Sequence, residues 1–391
     1  MDVRIFWLAL GAFAIGAEGF VISSLLPAIS ADTGVTIAQG GYLVLAFALA
    51  YAIGAPVLAS ITGHRDRRVV LGSSMLVFTL GNVIAGLAYS YEQLLVARVV
   101  MALAAGLYVA TAQATAVAMS EPHHRARAIS VIVGGTTVAV AFGAPLGALI
   151  AGYAGWRGTF WTIAVVALAS SAAIWTMLPA GLKGPKLPLN ERLAVITRPG
   201  MIPILLTTLL PLTGAFAVFT YIAPLATRTF GLSAALLPAI LFAFGIGAAA
   251  GNYGGGQLAD RIGATKTSAW VAGIMTLVLL TVSFMPHLPG VVGDAAFLAF
   301  MLVWGVIGWA LPPAQASRVI KLAPDAAPLA LSLNASALYL GVALGSVVGG
   351  EVITYASPID LGWVGALFTA ASFAIIVLAR PAPALAEARL G

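Results

Sequence analysis

Three charged side chains lie inside long apolar stretches of this sequence, and their chemistry needs an explanation. Glu18 is in the middle of the first stretch, Arg98 is in the fourth, and Glu351 is at the end of the eleventh. A charge at the centre of a bilayer costs about 2.5–3.5 kcal/mol on insertion scales, and such residues often mark ion or substrate pathways. Glu351 is near a predicted helix end, where it can reach water without any functional role.

Glu18 and Arg98 form a candidate proton-coupling pair. Removing a carboxyl group from water favours its neutral form, whereas a nearby guanidinium favours the carboxylate. If a conformational change alters water access or the distance between the two groups, Glu18 can take a proton from one side and release it to the other. The alternative is that Glu18 is a structural hydrogen-bonding group at a helix crossing.

The elements that position these residues follow from composition. The chain has 391 residues, of which 61% are hydrophobic and only 8% charged, with a mean hydropathy of +1.03. A soluble domain carries about 25% charged residues, and a membrane-spanning helix needs about 20 apolar ones. We therefore predict an all-α integral membrane protein with twelve transmembrane helices. The predicted spans are 5–28, 37–61, 69–89, 93–119, 128–152, 156–178, 201–226, 233–258, 265–285, 292–317, 327–353 and 361–379.

Several classes of function are excluded or disfavoured. The chain has no cysteine, and its four histidines fall in predicted loops, so we expect no metal site, no cofactor and no thiol chemistry. There is no P-loop, so ATP is not the energy source. A membrane-embedded enzyme acting on lipid lacks a nucleophile or a carboxylate pair at membrane depth. The net charge of +6 is explained by topology signals and lipid contacts rather than by nucleic acid.

The distribution of Lys and Arg predicts the orientation. With the N-terminus inside, sixteen of the nineteen basic residues fall in inside segments, and only Arg157 and Arg228 fall outside. Both termini are then cytoplasmic, in a multi-pass protein of the inner membrane. The inside residues are Arg4, Arg65, Arg67, Arg68, Arg125, Arg127, Lys183, Lys186, Arg192, Arg198, Arg261, Lys266, Arg318, Lys321, Arg380 and Arg389.

The two halves of the chain are related. Ala112-Gln113-Ala114 matches Ala314-Gln315-Ala316, and this is one of four short matches that occur in the same order in both halves at offsets near 200 residues. We therefore predict two six-helix pseudo-repeat bundles, at 1–178 and 201–391, joined by a cytoplasmic linker at 179–200. Parallel repeats of this kind place a binding site at their interface, near the bilayer midplane, and transport follows from rocking one half against the other.

One loop carries a specific pattern, Gly256-Gln-Leu-Ala-Asp260-Arg261-Ile-Gly263. Asp260 can cap the next helix or pair with a basic residue of a neighbouring bundle, or the segment is an ordinary charged turn. The pattern resembles the loop signature of the major facilitator superfamily. The first-half copy is degraded to Gly63-His-Arg-Asp-Arg67-Arg68, which is similar to the drug:proton antiporter family with twelve spans.

Other stretches resemble the sugar-efflux and purine-efflux arm of that family, among them Gly16 to Pro27, Gly155 to Trp161 and Leu340 to Gly350. The resemblance implies the major facilitator fold and a conformational-switch role for Arg67, Arg68, Asp260 and Arg261. It also implies that the glycine- and proline-rich fifth span, with Gly143, Pro145 and Gly147, marks an antiporter. Plain helix packing is an equal alternative for that span, and packing is our whole interpretation of Gly341, Gly345 and Gly349.

Polar and aromatic residues within the spans are candidates for the walls of a substrate cavity lined by spans 1, 4, 7 and 10. Each of them has an alternative role in helix packing, in hydrogen bonding between helices or in contact with lipid. The candidates are Tyr108, Gln113, Phe216, Phe219, Tyr221, Trp304, Gln315, Asn334 and Tyr339.

The sequence therefore predicts a proton-coupled antiporter that exports small molecules, drug-like, sugar-like or nucleoside-like. A proton-coupled symporter for uptake is the alternative. We expect the substrate to be neutral or cationic, because Arg98 is the only predicted buried cation. The expected partners are a small-molecule substrate, protons and membrane lipid, and we expect a monomer.

Overall fold

The computed structural model describes residues 3–121, 124–183, 194–284 and 290–378, and apart from one isolated bridge between Asp66 and Lys183 its regular elements are helices. Part of the predicted linker (184–193) and the chain beyond 378, with Arg380 and Arg389, lie outside the described residues. The helices are α1 (Arg4–Thr33), α2 (Ile37–Thr62), α3 (Arg67–Gly86), α4 (Tyr91–Ala118), α5 (Arg125–Val138), α6 (Ala144–Met177), α7 (Met201–Phe219), α8 (Leu237–Ile262), α9 (Ala264–Phe284), α10 (Gly290–Trp309), α11 (Leu311–Leu322), α12 (Ala327–Tyr355) and α13 (Leu361–Leu378).

The described chain contains eleven helical stretches long and apolar enough to cross a membrane, rather than the twelve separate spans that the sequence predicts. The difference lies in the predicted fifth and sixth spans, which form one stretch from Arg127 to Met177. Gly155 interrupts it with φ 70° and ψ 168°, a backbone conformation that residues with a side chain rarely adopt. A glycine therefore reverses the chain direction there without a loop, at the place where the sequence predicts the break between the fifth and sixth spans, and the predicted fold class is confirmed.

Successive helices alternate in direction, so their ends form two faces. We call one the basic face, because the helix ends at Arg4, Arg67, Arg198, Arg261 and Lys321 lie there. The opposite face carries the connections at Gly34, Ser90, Gly155, Gly231 and Ser357.

Ion pairs and caps fasten the connections at both faces. On the basic face, Asp66 caps α3 by accepting from Arg68 N at 2.9 Å, and it also accepts from Gly181 N at 2.6 Å. Arg198 donates two hydrogen bonds of 2.6 Å to Asp325, and these raise the pKa of Arg198 above its usual value. On the opposite face, Arg157 pairs with Asp32 at 2.5 Å. The Asp66–Gly181, Arg198–Asp325 and Arg157–Asp32 contacts each join segments that are distant in sequence.

Helices α1–α6 pack chiefly against one another, and so do α7–α13. Two seams join the groups: α2 lies along α12, and α8 lies along α5, α6 and the segment between them. The predicted boundaries at 178 and 201 remain predictions, but this packing is what two bundles require. The predicted packing role of the α12 glycines is confirmed, because Gly341, Gly345 and Gly349 lie against the backbone carbonyls of Leu209, Thr213 and Ala217 of α7.

This close approach predicts a difference between two glycines. A Cβ added at Gly345 would meet Thr213 O, Ala217 N and Phe216 Cβ, whereas one added at Gly254 of α8 would meet nothing within 4 Å. Gly345→Ala should therefore destabilise the protein by about 1–3 kcal/mol through overpacking, seen as a lower thermal unfolding midpoint in detergent. Gly254→Ala is the control and should leave the midpoint unchanged or slightly higher. Equal midpoints for both variants would contradict the packing seen at α7 and α12.

Candidate functional site

The side chains of Glu18 and Arg98 are in direct contact in the interior. Arg98 Nη1 donates to Glu18 Oε1, and the two residues are 1% and 0% exposed. Arg98 Nε donates to the backbone carbonyl of Leu43 in α2 at 3.0 Å, and the guanidinium carbon lies 4.4 Å from the ring centroid of Phe47. The guanidinium is thus held by a carboxylate, a carbonyl and an aromatic face from two other helices.

The sequence buries both charges through the helical repeat. Ala14, Glu18, Val21 and Leu25 recur every three or four residues on one face of α1, and all are buried. Leu94, Arg98, Met101 and Ala105 do the same on α4. Each charge therefore replaces one apolar residue of a packed stripe, and the neighbours in the stripe keep water away from it.

One oxygen of the pair is left over. Glu18 Oε2 is buried and has no hydrogen-bond partner among the described residues. A buried acceptor without a partner costs about 1–3 kcal/mol, more when it is charged. A proton on Oε2 would remove that charge without displacing Arg98 from Oε1. The geometry therefore fits a carboxyl group that alternates between a charged and a neutral form.

An aromatic cluster lies on the other side of α1, where the two groups of helices meet. The ring centroid of Phe20 is 6.0 Å from Phe216, 5.8 Å from Phe219 and 5.8 Å from Trp309. Phe20, Phe216 and Trp309 are only partly buried, whereas Phe219 and Trp304 lie behind them at 2% and 1% exposure. The cluster offers several ring faces and edges to a ligand between the halves.

Of three other predicted cavity residues, Tyr108 and Tyr221 are fully buried and Gln113 is partly buried. Tyr108 is fully buried within the first group of helices and donates to Leu8 O at 3.0 Å. Tyr221 is fully buried and donates to Ser346 O at 2.7 Å. These two hydroxyls serve helix contacts and are not offered to a cavity. Gln113 is partly buried on α4, and no hydrogen bond from its side chain is found among the described residues.

Polar residues near the basic face of the second half form a network that the sequence predicted only in part. Gln315 Nε2 donates to Thr207 O at 2.6 Å, and Thr208 donates to Asn334 at 2.7 Å. Arg318, expected in a loop, lies within α11 and donates to Thr207 Oγ1 at 2.8 Å and Gln315 Oε1 at 2.9 Å. Arg318 is thus a second cation within a helix, but it is only partly buried and lies near the basic face, so the neutral or cationic substrate stays a prediction.

The predicted switch residues also differ in their surroundings. Arg67 Nη1 donates to Ala114 O at 2.6 Å, and Arg68 donates to Trp175 O, so both fasten α3 to neighbouring helices. Asp260 and Arg261 are exposed at the end of α8, and no ion pair or hydrogen bond of their side chains is found in the described part of the chain.

Gly143, Pro145 and Gly147 lie around a π-helical segment, Ala139–Gly143. Pro145 has no backbone N–H for the carbonyl of Ala141, and its ring crowds that carbonyl, so the wider turn accommodates it. The segment packs on both groups of helices: a Cβ added at Gly245 of α8 would meet Ala141 Cα, and one added at Gly143 would meet Ala17 of α1. A Cβ added at Gly147 would meet Val21 of α1, so the two glycines allow close packing on α1, while Val140 and Ala141 of the π-helical segment form the seam with α8.

Sequence reasoning missed the residues of α2 that surround Arg98. Leu43, Phe47 and Tyr51 recur every four residues on one face, and Tyr51 stacks on Tyr339 of α12 with ring centroids 3.7 Å apart. The spacing is visible in the sequence, but an apolar helix has many such stripes. Only the contact with Arg98 distinguishes this one.

Comparisons with known proteins agree with this architecture. The sequence model of the Major Facilitator Superfamily matches residues 8–345. The chain is 33% identical over 347 residues to "Inner membrane transport protein YdhP" of Escherichia coli (strain K12), covering 89% of this chain and 88% of that protein. It is 32% identical over 400 residues to "Chloramphenicol resistance protein" of Streptomyces lividans, covering 98% of this chain and all of that protein.

A solved structure has the same fold at low sequence identity. The bacterial homolog of the human lysosomal transporter Spinster, in an inward-facing and occupied conformation, superposes with a TM-score of 0.75 at 17% identity. The superposition covers 97% of this chain and 98% of that chain.

The buried pair predicts an asymmetry between its two members. A carboxyl group can become neutral by binding a proton, but a guanidinium cannot lose one, so Glu18→Gln strands a charge and Arg98→Gln does not. Glu18→Gln should lower the free energy of unfolding by about 3 kcal/mol, Arg98→Gln by less, and the double variant should recover part of the loss. Chemical denaturation in detergent measures all three, and a double variant less stable than Glu18→Gln would contradict the assignment.

Proposed function

Because the chain belongs to the major facilitator superfamily and is a membrane transporter, we propose that it exports small molecules in exchange for protons. The observation that carries the proton part is the Glu18–Arg98 pair, with the unpartnered Oε2 of Glu18 beside it. Oε2 can take a proton from water that reaches the site, and that protonation removes the counter-charge of Arg98.

The seams support alternating access. Near the opposite face, Ser346 Oγ donates to Gly41 O at 3.0 Å, so α2 and α12 are fastened there. Nearer the middle, Ser336 Oγ donates to Ala52 O at 2.9 Å. If the basic face is cytoplasmic, as the excess of Lys and Arg favours, this arrangement holds the halves together on the external side. Export then requires these contacts to open and contacts near the basic face to form.

The aromatic cluster supports a substrate with an apolar ring. Phe20, Phe216 and Trp309 reach the same place from α1, α7 and α10, and stacking or edge contacts with a ring stabilise its binding. The name of the Streptomyces lividans relative refers to resistance to such a compound, the nitroaromatic chloramphenicol. We therefore infer a drug-like, ring-bearing substrate ahead of a sugar or a nucleoside.

The test is Glu18→Gln in proteoliposomes, with chloramphenicol as the first probe. Glutamine resembles the protonated carboxyl group, so exchange of substrate down its own gradient should survive while accumulation driven by a pH gradient disappears. Surviving exchange also proves that the variant is folded. Glu351→Gln is the matched control, because Glu351 is an exposed carboxylate at the end of α12, and it should keep both activities.

Three outcomes would count against this proposal. Accumulation by Glu18→Gln under a pH gradient would place the proton site elsewhere. Accumulation in the direction of proton flow by the parent protein would make it a symporter. Loss of exchange together with accumulation, in Glu18→Gln and equally in the Glu18→Gln/Arg98→Gln double variant, would make the pair purely structural.

Asp260 should affect the rate of transport and not the affinity for substrate. It is exposed at the basic face, at the end of α8, far from the aromatic cluster. Asp260→Asn removes a charge that can pair across the halves in the other conformation, so the maximal rate should fall severalfold while equilibrium binding of chloramphenicol is unchanged. Asp294→Asn, in the first turns of α10 on the opposite face, is the control. A large loss of binding by folded Asp260→Asn would contradict the switch role.

A further inference from the structure

Phe47 and Tyr51 of α2 and Tyr339 of α12 connect the proton site to the seam between the halves. Phe47 lies under the Arg98 guanidinium at 4.4 Å, and its ring centroid is 6.3 Å from that of Tyr51. Tyr51 in turn is stacked on Tyr339 at 3.7 Å with the ring planes 21° apart. The contacts run without a gap from Glu18 in the first half of the chain to α12 in the second.

From this geometry we propose that Phe47, Tyr51 and Tyr339 are positioning residues that transmit the protonation of Glu18 to the α2–α12 seam. The inference rests on the proposed function, because it assigns a coupling role around the same carboxyl group. We call these three residues the aromatic relay.

The physical step begins at Arg98. Protonation of Glu18 removes the negative charge that contacts Arg98 Nη1, and the guanidinium stays charged at 1% exposure. Among the described residues, its other hydrogen bond goes to the carbonyl of Leu43 and it lies over the ring of Phe47, both on α2. An uncompensated buried cation strengthens its hold on such groups or moves toward water, since either change lowers its free energy. Both changes move Arg98 relative to α2.

The stripe of α2 carries that movement to the seam. Leu43, Phe47 and Tyr51 lie one above another at intervals of four residues, so a shift at Leu43 reaches Tyr51 about 12 Å along the same helix. Helix α2 is also hydrogen-bonded to α12 at Gly41 and Ala52, on either side of the stripe. The Tyr51–Tyr339 stack lies beside the Ser336–Ala52 hydrogen bond, so a tilt of α2 against α12 changes the contact between the two rings.

Arg98 is the charged side chain that contacts Glu18, and the other elements packed on α1 add no charge at this level. Helix α2 contains no acidic, basic or histidine residue, and its titratable groups are Tyr42 and Tyr51. The turn Ile222–Pro224 has no titratable group. Helix α5 has Arg125 and Arg127 only in its first turn, and α6 has Arg157 near the opposite face and the tyrosine Tyr153. His64 follows the end of α2, Asp325 precedes α12 and Glu351 lies on α12, so the Glu18→Gln variant is what assigns a pH response of the seam to Glu18.

The test uses the absence of cysteine from the chain. Spin labels at Ile61→Cys of α2 and Leu331→Cys of α12, both exposed toward the basic face, report the distance across this seam. We expect the ratio of short to long distances to titrate with pH in the parent and to be independent of pH in Glu18→Gln. Tyr339→Leu should reduce the pH-dependent change in this ratio by about threefold to tenfold, the range expected for one aromatic pair.

Three further variants separate coupling from simple packing. Tyr339→Phe keeps the ring and should restore the pH response. Tyr355→Leu removes an exposed tyrosine from the end of the same helix and should change nothing. Phe47→Leu should reproduce Tyr339→Leu, and it serves as the second variant if Tyr339→Leu does not fold. In the Glu18→Gln background, Tyr339→Leu should have no further effect on the pH response.

The possible results distinguish this inference from the proposed function. An unchanged pH response in Tyr339→Leu and Phe47→Leu overturns the relay, and so does a loss that Tyr339→Phe fails to restore. If the parent accumulates substrate under a pH gradient while the relay variants keep its pH profile, the export function stands without the relay. If the seam titrates through Tyr339 but no accumulation occurs, the relay stands and the export function fails.

Discussion

The positions of α1, α2 and α4 depend on the free-energy cost of burying the guanidinium of Arg98, which cannot become neutral inside a membrane protein. Three groups stabilise the buried charge of Arg98: a carboxylate on α1, a carbonyl on α2 and an aromatic face on α2. Because an arginine keeps its proton, each of these groups must stay within reach in every state that excludes water. The positions of α1, α2 and α4 are therefore not independent, and a change in the charge of Glu18 alters the forces on all three.

The two halves place their polar groups at different levels of the bundle. At the position of Glu18 the second half has Ala215, and its polar groups lie nearer the basic face, where Thr207, Gln315 and Arg318 satisfy one another. Elsewhere the interior of the second half contains an aromatic group in which Phe219 packs against Phe244 and Trp304. The first half thus holds the buried Glu18–Arg98 pair, and the second half supplies most of the ring surface at the interface.

The fold could be predicted from the sequence because backbone groups in lipid must be hydrogen-bonded within their own segment. Long apolar stretches are therefore helices, and charged residues inside them are rare. For the same reason sequence reasoning singled out Glu18 and Arg98, whose contact the structure provides. It could not find Tyr51 or place Tyr108, because a tyrosine on an apolar helix points to a cavity or to a neighbouring carbonyl according to the rotation of that helix. Arg318 was predicted to lie in a loop, because a basic residue next to a predicted helix end is normally a topology signal. In the structure α11 continues to Leu322, so Arg318 lies within a helix.

The π-helical segment between α5 and α6 has a consequence for how relatives are aligned. A π turn holds one residue more than an α turn, so everything after Gly143 is rotated by about 100° relative to an uninterrupted helix. Removing a single residue from Ala139–Gly143 would cancel that rotation and turn a different side of the following helix toward α8. A one-residue gap at this place in an alignment is therefore a change of interface and not a trivial difference in loop length.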